Sequence, residues 1–226
     1  MAGELDHMFV CSAVGALEAD LLVAFGLTEG TPNSHPGQGT ACRRFFFRNA
    51  MLELLWVNDE SEARSPLIAP TRLWERWRYR STGYSPFGLC LRPSAQHPAP
   101  QPVLPFATWA YHPPYLPPEM HIDVASETSN SEPMLFATAF GGRPDGKLLT
   151  EHRELLVHPR GIDEVTAVHI TLPRGESISH AVRAVRQTGS VSFGAGSEHL
   201  AEVEFDRGEQ GQSVDFRPTL PLRVRW

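Results

Sequence analysis

With 226 residues, 41% of them hydrophobic and 20% charged, the chain has an ordinary globular composition and the length of one large domain or two small modules sharing a core. A net charge of −6 and a pI near 5.9 argue against a broad nucleic-acid surface. No run approaches the ~20 apolar residues needed to cross a bilayer. The first apolar stretch carries Glu18 and Asp20 and has no basic leader, unlike a signal peptide. The three cysteines, Cys11, Cys42 and Cys90, form no CxxC pair. They read as buried free thiols in a reducing compartment, so the expectation is a cytoplasmic protein.

LDHMFVC, residues 5–11, reads as a strand in which a period of two puts Leu5, His7, Phe9 and Cys11 on one face, with His7 its only ionisable group. Ser12 follows as an N-cap. Val14, Leu17, Leu21 and Phe25 then recur at helical spacing until Gly26 stops the helix. Residues 27–30 read as a short strand. The loop 35–40, HPGQGT, has two glycines and a proline. Its backbone N–H groups and Gln38 suit an oxyanion, with His35 as proton donor; a plain tight turn is the competing reading. A strand over 41–48, the turn Asn49-Ala50 and a strand over 51–57 complete the stretch. Glu53 lies among Met51, Leu55 and Val57 on one face of the last strand. A lone carboxylate there must be paired, metal-bound or protonated. His7 and Glu53 make either one site or a buried hydrogen bond that only holds the core.

Residues 59–66 are polar, and 70–80 reads as a helix with Leu73, Trp74 and Trp77 inward. Its arginines, with Arg43 and Arg48, read as solvated or strand-flanking. Arg44 is the exception, placed to clamp a substrate carboxylate or phosphate. A strand over 84–93 precedes a segment, 93–118, that holds nine of the 20 prolines and excludes regular helix over most of its length. As a lid or wall it brings Trp109 to a ligand; as a strap it packs its aromatics on the body of the fold. Strands follow at 120–126, 133–140 and 165–172, then a helix over 177–187 with Ile178, Ala181, Val182 and Val185 inward. VSF, HLAEVEFD and LPLRVRW supply the last strands. Strand–helix–strands thus recurs at an offset of roughly 160 residues, the mark of an internal duplication.

LDHMFV, a helix, HPGQGT, RRFFFRN and MLELLWV together resemble the glyoxalase-like branch of the vicinal-oxygen-chelate superfamily, specifically over residues 5–58 and loosely beyond. The resemblance implies an α+β protein of two βαβββ modules forming a half-open barrel. Here they would be 1–60 and a degenerate 161–226, separated by a connecting helix, the proline-rich segment and extra strands over 61–160. It places His7 and Glu53 at the family's first- and fourth-strand ligand positions. In the second module Ala167 falls opposite His7, with His169 two residues on, and Arg223 falls opposite Glu53. His7, Glu53 and His169 would be a two-histidine, one-carboxylate set for Fe(II) or another divalent ion (Mn, Ni, Co or Zn). Arg223 in a carboxylate's place tips the balance against a metal. Without His169 as a ligand, Glu53 would be a metal-free general base; Arg223 would instead pair with Glu53 across the modules, making the pair structural, or join the substrate contacts. The expected function is a lyase, isomerase or dioxygenase acting on an oxygen-bearing metabolite. The rival is a metal-free small-molecule binder of the same fold, and the cup closes within one chain or by module exchange in a homodimer.

Overall fold

β1 (Gly3–Cys11) and β4 (Met51–Val57) form a parallel ladder that sets Phe9 beside Glu53. A parallel pair needs a long crossover, and α1 (Ala19–Phe25) supplies it, ending at Gly26 with φ 109°. β2 (Asn33–His35) and β3 (Thr40–Phe46) add antiparallel strands outside β4. The computed structural model describes residues 3–94, 104–140, 142–146, 156–173 and 178–226. It makes the chain an α+β protein, mostly strands in two sheets.

Two local expectations over this first unit change. Val14, Leu17 and Leu21 are exposed (59%, 68% and 42%), while Ala19 and Leu22 are buried. Gly15 and Ala16 take left-handed backbone (φ 78° and 47°), which stops a helix from starting at Ser12, and the Glu18 carboxylate accepts the Ala13 N–H at 3.0 Å. Residues 27–30 form no strand; the pairing partner of β3 is β2, six residues later. The helix expected over 70–80 is likewise broken. After α2 (Glu60–Ala63), Arg72 at φ 58° separates a 3₁₀ turn from α3 (Leu73–Trp77), and α4 (Tyr79–Thr82) ends at Gly83.

The larger correction concerns which strands complete the first sheet. β5 (Phe87–Pro93) lies antiparallel to β1, and β8 (Met134–Ala137) runs parallel to β5. β7 (Ile122–Ala125) and β6 (Thr108–Tyr111) follow, giving the eight-strand order β2-β3-β4-β1-β5-β8-β7-β6. The second half of the sheet therefore comes from 87–137, inside the stretch expected to be a connector, and not from 161–226. The physical reason is burial on both faces: Phe87 to Arg92 are all buried, so this strand needs a central position.

Residues 165–225 build a separate five-stranded sheet. β9 (Val165–Pro173) crosses through α5 (His180–Arg186) to a parallel β10 (Val191–Gly196). β11 (Leu200–Phe205), β12 (Ser213–Asp215) and β13 (Leu222–Arg225) give the order β10-β9-β11-β13-β12. Each sheet has a central antiparallel pair, β1/β5 or β9/β11, and each member of that pair has a parallel partner outside it. The duplication thus relates the two sheets, the second being shorter.

Met8, Val10, Leu52, Leu54, Leu89 and Leu91 of the first sheet share one core with Val168, Ile170, Val203, Phe205, Leu222 and Val224 of the second. The opposite face of the first sheet carries a second cluster, including Phe9, Leu55, Leu73, Tyr111 and Phe136. All three cysteines are free and buried. No helix of the described residues is long and apolar enough to cross a membrane.

Gly88 stands beside Phe9 in the β1/β5 ladder, and a methyl group there would overlap the Phe9 ring. Gly88→Ala is expected to cost roughly 1–3 kcal/mol by overpacking, read by urea unfolding. Gly146→Ala, which meets no atom within 4 Å, is the neutral control.

Candidate functional site

In the β1/β5 ladder Leu5 faces Leu91 and His7 faces Cys90, which leaves Asp6 as an extra residue. This β-bulge resets the alternation along β1. Leu5 packs into the core between the sheets, whereas Asp6, His7 and Phe9 line a cavity on the other side. Strict alternation, the sequence expectation, would have put Leu5 beside His7 and sent Asp6 away. Instead Asp6 Oδ1 lies 2.8 Å from His7 Nδ1. Behind them the buried Arg92 donates to the Leu5 and Asn49 carbonyls, each at 2.8 Å, and sits 3.6 Å from Asp6 Oδ2.

Burial alone would lower the His7 pKa. The neighbouring Cys90 sulfur, the Glu53 carboxylate and the Asp6 hydrogen bond outweigh it and hold the imidazole well above its ordinary value. Burial likewise pushes the Asp6 carboxyl up, but His7 and Arg92 more than reverse this, and its pKa is lowered. The Asp6 carboxylate thus favours the protonated imidazole, with Nδ1 committed to Asp6.

The cavity holds about 520 Å³, within the usual range for small-molecule sites. Phe9, Leu55 and Phe136 form its floor, Leu73 comes from α3, and Tyr115 and Leu116 come from the proline-rich segment. That segment is therefore a wall of the cavity. His35 on β2 and Tyr111 on β6 line the same space, although their strands are opposite, unpaired edges of one sheet. The sheet curves so that side chains of its two edges meet across the gap. Tyr111 donates its hydroxyl proton to Gln38 Oε1 at 2.7 Å, and Gln38 Nε2 donates to Thr40 Oγ1 at 2.7 Å. With the Asn33 amide nitrogen donating to His35 Nε2 at 3.1 Å, Nδ1 carries the ring proton and donates to Thr40 Oγ1 at 2.9 Å. Burial is the leading cause of the lowered His35 pKa, so this ring is neutral. It also lies 4.8 Å from the Tyr115 ring, centroid to centroid. His35 and Gln38 thus reach the cavity, as expected, but their polar atoms are spent on closing it.

Glu53 is 7% exposed, lines the cavity and makes no ion pair among the described residues. The Cys42 thiol is its hydrogen-bonding neighbour. Arg44 is its cross-strand neighbour on β3 and also lines the cavity. Arg44 Nε donates to the Thr31 carbonyl at 2.7 Å, and the guanidinium lies 5.0 Å over the Phe46 ring. Arg43, one residue earlier and on the opposite face, is consumed by Glu29 and Asp20.

Three expected members lie elsewhere. His169 bonds Ser192 Oγ at 2.8 Å on the outer face of the second sheet, because its neighbours Val168 and Ile170 face the shared core. Arg223 is on that same outer face, paired with Asp215 at 2.9 Å and Glu202 at 3.3 Å, and has no contact with Glu53. His7 and His169 point away from each other across both sheets, whose backbones alone stand about 10 Å apart. Trp109 packs on Tyr111, 5.7 Å between centroids, and does not line the cavity.

The set His7, Glu53 and His169 is therefore not assembled. Asp6, His7 and Cys90 do bring one candidate ligand atom each within 4.8 Å of one another. Asp6 Oδ1 and His7 Nδ1 already bond each other, so an ion held through those two atoms would have to displace that hydrogen bond.

No family model matches the sequence, and no curated protein matches it. A crystal structure of a hypothetical protein from Staphylococcus aureus is similar in fold, with a TM-score of 0.50 and 8% identity, covering 100% of this chain and 99% of that one. At that identity the likeness concerns the fold alone.

Asp6→Asn is expected to lower the His7 pKa, followed by NMR titration of the ring. The stabilisation from His7 is fully present below its unfolded pKa of about 6.5 and is lost as pH rises through its elevated folded value. That from Asp6 is present above about 4 and is lost as pH falls through its depressed folded value. The difference in unfolding free energy between wild type and Asp6→Asn should therefore peak between these limits and shrink on both sides. Tyr111→Phe leaves Gln38 Oε1 without its buried donor and should cost about 1–3 kcal/mol, with no change in secondary structure by circular dichroism.

Proposed function

We propose that this chain is a glyoxalase-like small-molecule enzyme of the isomerase or lyase kind, working by acid–base chemistry in the half-barrel cavity. The observation that carries the reading is an imidazole held by Asp6 and a separate Glu53 carboxylate, without an ion pair among the described residues, lining one largely apolar space. A carboxylate and an imidazole lining one apolar space are suitable materials for a base and an acid. The motifs over 5–58 and the strand–helix–three-strand connectivity of 3–57 support the family assignment.

In this mechanism Glu53 removes the proton from the carbon bearing a hydroxyl beside a carbonyl. His7 donates a proton to the carbonyl oxygen, giving an enediol. Glu53 then returns its proton to the neighbouring carbon, and the first hydroxyl gives its proton back to His7. A C–H bond breaks and another forms one carbon away, with no net oxidation. Asp6 fixes the ring orientation and stabilises the imidazolium, and the apolar walls exclude water from the enediol. Oxygen activation at a metal is less well supported, since His169 stands on the other sheet.

The binding-protein reading rests on a different observation: His35, Gln38 and Tyr111 use their polar atoms on one another, as a closed binding cup would. Exchange of carbon-bound hydrogen in D₂O separates the two readings. Over a panel of hydroxyketones and hydroxyaldehydes followed by proton NMR, wild type should catalyse loss of the α-proton signal. Glu53→Gln should slow it by roughly 10²-fold or more, with ligand affinity little changed. A panel that binds but never exchanges would leave the protein as a binder.

A further inference from the structure

The cavity's charged groups are paired except for two cross-strand neighbours, Glu53 and Arg44, which make no ion pair among the described residues. Asp6 is offset by His7 and Arg92, and His35 is neutral and fully bonded. Among the described residues lining the cavity, Arg44 is the one cation with no carboxylate within ion-pair distance, even though Glu53 is its cross-strand neighbour. Its Nε is tied to the Thr31 carbonyl and its face to Phe46. These two contacts fix the guanidinium plane and leave the two terminal nitrogens without partners among the described residues. A planar pair of N–H donors so held matches a carboxylate bidentately.

Register adds a direction. Arg44 is on β3, Glu53 beside it on β4, and His7 on β1, the next strand. A ligand held at Arg44 and reaching toward His7 crosses β4 between Glu53 and Met51. The lining also includes the apolar Leu55, Leu73, Ile122 and Leu116. We propose that the site takes a monocarboxylic acid that also carries a hydroxyl beside a carbonyl, with an apolar tail, its carboxylate on Arg44 and its carbonyl oxygen at His7. This rests on the acid–base reading of the same cavity and names its substrate class. With the Glu53 carboxylate beside Arg44, each further negative charge on the ligand adds like-charge repulsion there, which favours a single carboxylate over a phosphate dianion or a dicarboxylate.

Competition against a neutral fluorescent reporter, aminoanthracene, tests the inference on the full chain. The reporter should bind wild type and be lost in Leu55→Trp, or in Ile122→Trp should the first variant not fold. Phenyllactate should displace it at roughly 10- to 100-fold lower concentration than the isosteric phenyllactamide. In Arg44→Gln that preference should fall to about two-fold or less. Equal displacement by acid and amide, no displacement by either, or a preference that survives in Arg44→Gln overturns the carboxylate assignment and leaves the cavity reading standing. A reporter that fails to bind wild type, or binds both tryptophan variants as well, overturns the cavity as a ligand site and the inference with it.

Discussion

The extra residue at Asp6 is the constraint on which the site depends. A strand that alternates without interruption cannot present two adjacent side chains to the same face. The bulge lets β1 do so, putting Asp6 against His7, and it turns Leu5 into the shared core at the same step. Arg92, on the strand paired with the bulge, donates to the carbonyl of Leu5 and so holds the distortion from behind. The local irregularity, the aspartate–histidine pair and the packing of β1 are one structural event.

That arrangement would be wasted on an open sheet. The first sheet brings its two edges to one cavity without pairing them, so no backbone ladder closes the barrel. Closure falls to a chain of side chains, Tyr111–Gln38–Thr40–His35–Asn33, in which each buried polar atom satisfies the next. The loop carrying Gln38 has its glycine conformation for this purpose. Gly37, at φ 78°, passes under Pro114, where a Cβ would come within 2.7 Å of the proline ring. The prolines on the far side stiffen the wall that Tyr115 and Leu116 present.

The second sheet shows what the same strand plan becomes without such a wall. Ser192, His169, Glu202, Arg223 and Asp215 form one row across its outer face, strand by strand. The charged members pair with each other. The inner face of this sheet supplies half of the shared core. Its contribution to the site is mechanical, as a support behind β1, β4 and β5.

Much was legible in the residues themselves. Alternation in MLELLWV put Glu53 on the face of Met51 and Leu55, and that face lines the cavity. The position of Arg44 just after the glycine loop marked it apart from Arg43. Those features depend on local periodicity, which sequence carries directly. Asp6 could not be found this way, because a bulge is decided by the strand alongside, here β5. Nor could the partner of the first unit be chosen: 87–137 and 165–225 both offer strands, and only burial of Phe87 to Arg92 on both faces favours the former. For the same reason His169 and Arg223, plausible from spacing alone, came to rest on the far side of the core. Sequence determined which faces are apolar and where the lone charges stand. Tertiary structure decided which of those faces meet, since pairing between distant strands is a property of the whole chain and leaves no mark on any one segment.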